Sequence, residues 1–204
     1  MPLQTLTGSL ELALMRERSA QEYKAALCEA FSQSQRLSSL IQALLLLNQL
    51  ETTPQLKPEV LNLTENCHRC LEQFSEYAKS RGVSFYVVRS GDEVIKTIPT
   101  HVDILLRNLF ENAIKYALPN SEVVVSVQSK ESGSVLRIVN HCHADASWDE
   151  ARLFEPFYRP DASRNSDTGG NGLGLALCKA VANANDWRIT LRRELDTVIA
   201  HVAF

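Results

Sequence analysis

Asn108, Asn112 and Lys115 stand four and three residues apart in the stretch Asn108-Leu109-Phe110-Glu111-Asn112-Ala113-Ile114-Lys115-Tyr116. That spacing puts all three on one face of a helix, with Ile104, Leu105, Leu109 and Ala113 as apolar neighbours. Two amides and an ammonium along one side can hold a hydrated cation and a polyphosphate. They also suit an ordinary polar surface helix, so a second stretch matters. Gly169-Gly170-Asn171-Gly172-Leu173-Gly174-Leu175 follows a segment rich in Asp, Ser, Asn and Gly and precedes an amphipathic helix pattern. Glycines let a backbone approach a ligand closely. A helix start offers free N–H groups and a positive dipole end to phosphate. The bland alternative is a loop that only turns the chain. It is not a P-loop, because no Gly-Lys-Ser/Thr follows.

The elements that must position these residues can be read from periodicity. Pro2 to about Arg16 reads as a helix, with Leu3, Leu6, Leu10 and Leu14 at helical spacing. Ser19 is set to cap a second helix from about Ala20 to Glu51. Its later half carries Leu37, Leu40, Leu44 and Leu47 beside Ile41, a coiled-coil-like seam. Two such helices form a hairpin that a dimeric four-helix bundle would bury. Pro54 and Pro58 then break the pattern, placing a domain boundary between 1–53 and 54–204.

The second domain alternates strands and helices, which points to an α+β fold, a two-layer α/β sandwich. Val60–Leu63 reads as a strand, and a helix capped by Thr64 runs to about Arg81 and stops at Gly82. Val83–Val88 and Val94–Ile98 read as strands around the turn Ser90-Gly91-Asp92. The asparagine helix covers about His101–Ala117. Strands Val123–Ser129 and Val135–Asn140 flank Glu131-Ser132-Gly133. A short helix is expected at Asp149–Tyr158, a mobile loop at Pro160–Gly170, a helix at Leu173–Ala184, and strands at Trp187–Arg193 and Thr197–Phe204.

Composition excludes several classes. Hydrophobic residues make up 45% and charged residues 22%, as in soluble globular proteins. A net charge of −3 without a concentrated basic run argues against general nucleic-acid binding. The longest apolar run, Ala43–Leu47, is far short of the about 20 residues a membrane span needs. Five cysteines in no dense framework point to reduced thiols and the cytoplasm. Cys67-His68-Arg69-Cys70 tempts a metal reading, but Cys67, Cys70, Leu71, Phe74 and Ala78 make one apolar helical stripe. In His141-Cys142-His143, strand alternation sets the histidines opposite the cysteine.

With Leu153-Phe154-Glu155-Pro156-Phe157-Tyr158-Arg159 added between them, the asparagine helix and the glycine loop resemble the ATP-binding domain of sensor histidine kinases. That domain has the Bergerat-type fold shared with gyrase, the Hsp90 chaperones and MutL. The N-terminal hairpin is similar to the dimerisation and phosphotransfer domain of these kinases, so the resemblance covers essentially the whole chain. Phe157–Arg164 and Asn140 look most like the subgroup that includes heavy-metal sensor kinases.

The resemblance implies ATP and Mg²⁺ as cofactors, with Asn112 on Mg²⁺ and Asn108 one turn earlier near the γ-phosphate. Lys115 and Tyr116 would line the nucleotide pocket, Lys115 near the phosphates. Arg159 would reach the phosphates, framed by Gly170, Gly172, Leu173 and Gly174. Asn140 would stand at the adenine-reading aspartate, where an amide oxygen can still accept from the amino group. Cys142 and Ala144 replace the two glycines of that motif, and Asp145 takes a normally apolar position. The family's phosphoacceptor motif ends in Pro-Leu, matching Pro2-Leu3, and its histidine would fall five residues before Pro2.

The resemblance thus implies the cytoplasmic catalytic core of a two-component kinase. It would be homodimeric through its first helices and would serve a response regulator, the parent being anchored in the bacterial inner membrane. The acceptor histidine would lie outside this chain. Two other classes stay open: a non-catalytic dimeric adaptor that keeps the architecture but has lost the acceptor and weakened the adenine site, and a non-kinase Bergerat-fold ATPase, which the leucine-rich hairpin disfavours.

Overall fold

The computed structural model describes residues 7–8, 10–11, 13–15, 19–52, 57–88, 93–130, 133–143, 148–159 and 172–204. The chain falls into two compact units, Met1–Asn48 and Gln49–Phe204.

Thr7, Gly8, Leu10, Glu11, Ala13 and Leu14 of the first unit are helical, and helix α1, Ala20–Thr52, ends four residues past its boundary. Ser19 opens α1 with a capping box. Its Oγ accepts from Glu22 N at 3.3 Å, and Glu22 Oε2 accepts from Ser19 N at 2.8 Å. Leu14, Met15, Leu27, Phe31 and Ile41 are exposed. Leu37 is half-buried, while the side chains of Leu40, Leu44 and Leu47 lie outside the described set. Among the described residues no helix is long and apolar enough to cross a membrane.

The second unit runs β1 (Glu59–Asn62), α2 (Leu63–Gln73), α3 (Ser75–Ser80), β2 (Ser84–Val88), β3 (Val94–Thr97), α4 (Pro99–Tyr116), β4 (Glu122–Lys130), β5 (Gly133–His141), α5 (Gly174–Ala184), β6 (Arg188–Glu194) and β7 (Thr197–Ala203). Five strands form one sheet in the order β2-β4-β5-β7-β6, and β1 pairs with β3 in a separate two-stranded sheet. Within the larger sheet β2 and β4 are parallel and the other pairs antiparallel. The alternation Val198, Ala200, Val202 on β7 and Val123, Val125, Val127 on β4 sends one face inward. The helices cover that face. Phe110, Leu105, Leu106 and Ile114 of α4 are fully buried, each contributing about 1.5–3 kcal/mol of apolar burial.

Three local expectations are corrected. The helix expected from Thr64 to Arg81 is two helices that meet at Phe74, and its cap is Asn62, whose Oδ1 accepts from Glu65 N at 3.0 Å. Thr64 Oγ1 is buried without a described partner. β2 and β3 do not pair across the segment between them but enter different sheets. The short helix expected at Asp149–Tyr158 is a chain of turns, closed by Arg152 N→Asp149 O at 3.0 Å and Glu155 N→Arg152 O at 2.8 Å. Pro156 and the positive φ of Phe157 (66°) prevent it from extending. The expected loop 160–170 lies outside the described residues.

Because Asn62 is the one side chain capping α2, Asn62→Ala should cost about 1 kcal/mol. Thermal unfolding should then fall by about 2–4 °C, whereas Thr64→Ala should not lower it.

Candidate functional site

Helix α4 carries the polar face, and Pro99 at its first turn supplies the helical φ at no hydrogen-bond cost. Asn108 is held by its own helix, its Nδ2 donating to Ile104 O at 2.8 Å. Its Oδ1 is thereby turned to the start of α5, where a Cβ on Gly174 would lie 2.9 Å from it. Glycine at 174 is what lets the first turn of α5 rest against Asn108. Among the described residues no side chain caps that turn, so its first N–H groups have no described side-chain acceptor.

The next glycine joins this corner to the Phe154–Arg159 segment. Gly172 has φ +69°, and its carbonyl accepts from Phe157 N at 2.9 Å. A Cβ there would sit 2.9 Å from both Phe157 C and Tyr158 O. Backbone therefore lies on backbone. Tyr158 fixes the turn from the other side: its hydroxyl accepts from Asp149 N at 3.1 Å, and Arg152 stacks 4.6 Å over its ring. The turn ends at Arg159, which is half-buried.

Arg159 closes the circuit by its charge on Lys115. Burial pushes the half-buried Lys115 ammonium down to about 8, Arg159 and more weakly Arg81 add to the fall, and Glu111 opposes it. Lys115 Nζ also lies 5.1 Å from the Tyr116 ring centroid. Asn112, one turn beyond Asn108, is half-buried, and its side chain hydrogen-bonds to none of the described residues. The structure thus brings Gly174, Gly172 and Arg159 along the C-terminal half of α4, which carries Asn108, Lys115 and Tyr116. Leu173 is the residue preceding α5 and is buried. Gly170 lies outside the described residues.

Asn140 stands apart on β5, 4% exposed; among the described residues its Nδ2 reaches only His141 O, at the long distance of 3.5 Å. It is tied to the site through Leu118 N→His141 O at 2.9 Å, which anchors the exit of α4 to the end of β5. Cys142 is buried and its thiol is pushed up by burial. His141 and His143 are exposed. Among the described residues no cluster of His, Cys, Asp and Glu could hold a metal. Cys67 and Cys70 are core thiols, raised by burial to about 12 and about 11.

Two further groups set the frame without any signal in the local sequence. At the far end of α4, Asn185 Oδ1 accepts from Thr97 Oγ1 at 2.7 Å. Its Nδ2 lies 2.8 Å from His101 Nδ1 and donates to Val181 O at 2.8 Å. This pins the end of α5 to the start of α4, so that Gly174 meets Asn108 at the other end. At the near end Arg81 Nη2 donates to Lys115 O at 3.1 Å. Both contacts join residues far apart in sequence.

The family model of the histidine kinase-, DNA gyrase B- and HSP90-like ATPases matches residues 97–202. The chain belongs to this ATPase family. Relatives that match most of this chain include sensor kinases. The sensor histidine kinase CusS of Escherichia coli is 31% identical over 187 residues, 90% of this chain and 38% of the relative. The sensor protein CzcS of Cupriavidus metallidurans is 29% identical over 181 residues, 88% of this chain and 38% of the relative. The chain therefore spans well under half the length of these curated relatives. In three dimensions it is similar to the Acinetobacter baumannii histidine kinase AdeS, with a TM-score of 0.75 over 99% of this chain and 93% of that one at 20% identity. It is also similar to the histidine kinase ThkA solved in complex with the response regulator protein TrrA, with a TM-score of 0.75 over 98% of this chain and 56% of that one at 16% identity.

If this corner holds a polyphosphate, Lys115 should contribute to its binding in a pH-dependent way. A bound polyphosphate favours the charged ammonium, whereas the ligand-free site loses the proton near 8. Affinity for the nucleotide should fall about tenfold between about pH 7 and 9, with proton uptake on binding near pH 8. Calorimetry in buffers of different ionisation enthalpy would read both effects, and Lys115→Met should flatten the pH dependence.

Proposed function

We propose that this chain is the catalytic core of a two-component sensor histidine kinase. It binds Mg-ATP, directs the γ-phosphoryl group to a histidine outside residues 1–204, and serves a response regulator. The observation that carries the reading is the meeting of the Asn108 face with the Gly172–Gly174 corner and the Arg159 turn.

The residues suit the group they would hold. Mg²⁺ keeps most of its waters and takes phosphate oxygens, so one half-buried amide without a described partner, Asn112, is a sufficient protein ligand. When bound, the ion neutralises charge on the phosphate oxygens. Asn108 would orient the γ-phosphate, Lys115 and Arg159 would supply positive charge, and the N–H groups at Gly172–Gly174 would cradle oxygens. Catalysis of this kind is positioning and electrostatics without a covalent enzyme intermediate. Asn140 would accept from the base amino group while the buried Cys142 narrows the space beside it. Tyr116 would line the pocket.

Residues 1–53 would form the dimerisation hairpin and 54–204 the ATPase domain. The exposed Leu14, Leu27, Phe31 and Ile41 give the helical unit apolar surface for a second copy. The parent would hold this core on the cytoplasmic side of the membrane.

The coding sequence upstream of Met1 tests the kinase reading. It should place His-Glu-x-x directly before Met1, with the histidine five residues before Pro2 and Met1 in the motif's Thr/Asn position. An upstream sequence without that histidine would contradict the kinase and leave the dimeric adaptor.

A further inference from the structure

Arg81 lies outside residues 97–202 matched by the family model, at the end of α3. Its guanidinium Nη2 donates to the main-chain carbonyl of Lys115 at 3.1 Å. That carbonyl belongs to the last turn of α4, whose final acceptors have no helical donor. The last helical bond of α4 is Ala117 N→Ala113 O at 3.0 Å. The next residue, Leu118, turns its N–H to His141 O, and Pro119 has none to give. The neighbouring backbone grips the same exit. Gly82, at φ +66°, accepts from Asn120 N at 2.7 Å, and Ser84 N donates to Ser121 O at 3.1 Å. Arg81 thus fastens the helix end before the chain leaves, and Gly82 and Ser84 fasten it after.

We propose that Arg81 is a positioning residue of the nucleotide site, acting through the final turn of α4 that carries Lys115 and Tyr116. The proposal rests on reading that site as the nucleotide site. Two effects of the guanidinium oppose each other. It lowers the proton affinity of Lys115, which weakens anion binding at high pH. It also caps the carbonyl end of the helix dipole and holds the Lys115 backbone in place, which favours binding at neutral pH. At pH 7 Lys115 keeps its proton, so the positioning effect dominates. A charge-assisted bond to a helix-end carbonyl is the sole specific contact described between the Arg81 side chain and α4. Its loss should therefore be felt first at residues 115–117.

A double-mutant cycle with Mg-ADP as the probe tests the idea at pH 7. Arg81→Met should weaken Mg-ADP binding about tenfold, as expected for one hydrogen bond from a charged group, and Arg81→Lys should recover most of that loss. In a Lys115→Met background the same Arg81→Met change should cost less than about threefold, because the turn it holds no longer presents the ammonium. Equal losses in both backgrounds would mean a general structural role and overturn the proposal.

A ligand-free arm separates this from the nucleotide reading. Arg81→Met should speed hydrogen exchange at the Ala117 amide while leaving Val202, deep in β7, unchanged. Unchanged protection at Ala117 would overturn the positioning role whether or not nucleotide binds. Absence of Mg-ADP binding by the unmutated chain, with faster Ala117 exchange in Arg81→Met, would instead overturn the nucleotide reading alone.

Discussion

Asn112→Ala lowers the affinity for Mg-ATP on the order of 100-fold, or about 2.8 kcal/mol at 1.4 kcal/mol per tenfold, while affinity for ATP without Mg²⁺ falls little. The reason is local. Asn112 is half-buried, and no described side chain or backbone group satisfies its amide, so removing it breaks no hydrogen bond to the described residues and should leave thermal unfolding nearly unchanged. What would be lost is the carbonyl oxygen proposed to face the cation, and Asn108 could not replace it, being engaged with Ile104 and Gly174. Titration of the variant with and without Mg²⁺ checks the claim. An Asn112→Ala chain that keeps full Mg-dependent affinity would remove Asn112 from the metal.

Gly172→Ala should be the more damaging of the two single methyls at the Gly172–Gly174 corner. The φ of +69° costs a non-glycine residue about 1–2 kcal/mol. The added Cβ would also meet Phe157 C and Tyr158 O at 2.9 Å, both main-chain atoms that cannot rotate away. The Phe157–Arg159 turn must move off the start of α5, carrying Arg159 from its place beside Lys115. Nucleotide affinity should fall by about tenfold or more, and Tm by about 2–8 °C. Gly174→Ala presses on a side-chain oxygen of Asn108, so it should cost less stability. A variant order with Gly174→Ala the more unstable of the two would contradict this account.

Much of the fold was legible because it is written in local periodicity. The four- and three-residue spacing of Asn108, Asn112 and Lys115 gave the face of α4, and two-residue alternation gave β4, β5 and β7. Capping was half legible. Ser19 was identified, but Asn62 and Thr64 are both capping types two residues apart, and only the register of β1 selects Asn62. Strand partners were not legible. β2 and β3 follow one another, yet Phe85 must pack on Phe110, at 6.1 Å between ring centroids, which draws β2 beside β4. β3 instead pairs with β1 and buries Thr97 beside Asn185.

The site was legible to the same degree. Its residue types and order could be read as a resemblance, whereas the contacts that hold them could not. Arg81 on Lys115 O spans 34 positions, and Thr97 on Asn185 spans 88. No pattern in a single chain announces such pairs. The depressed Lys115 likewise follows from burial and from the charge of Arg159, neither of which is a property of its neighbours in sequence.

The central claim is that residues around Asn108, Asn112 and Lys115 form an Mg-ATP site. Calorimetric titration of Mg-ATP into the unmutated chain at pH 7 tests it most directly. Saturable binding at one site per chain, weakened when EDTA removes Mg²⁺, is the predicted result. No saturable binding, or binding indifferent to Mg²⁺, would contradict it.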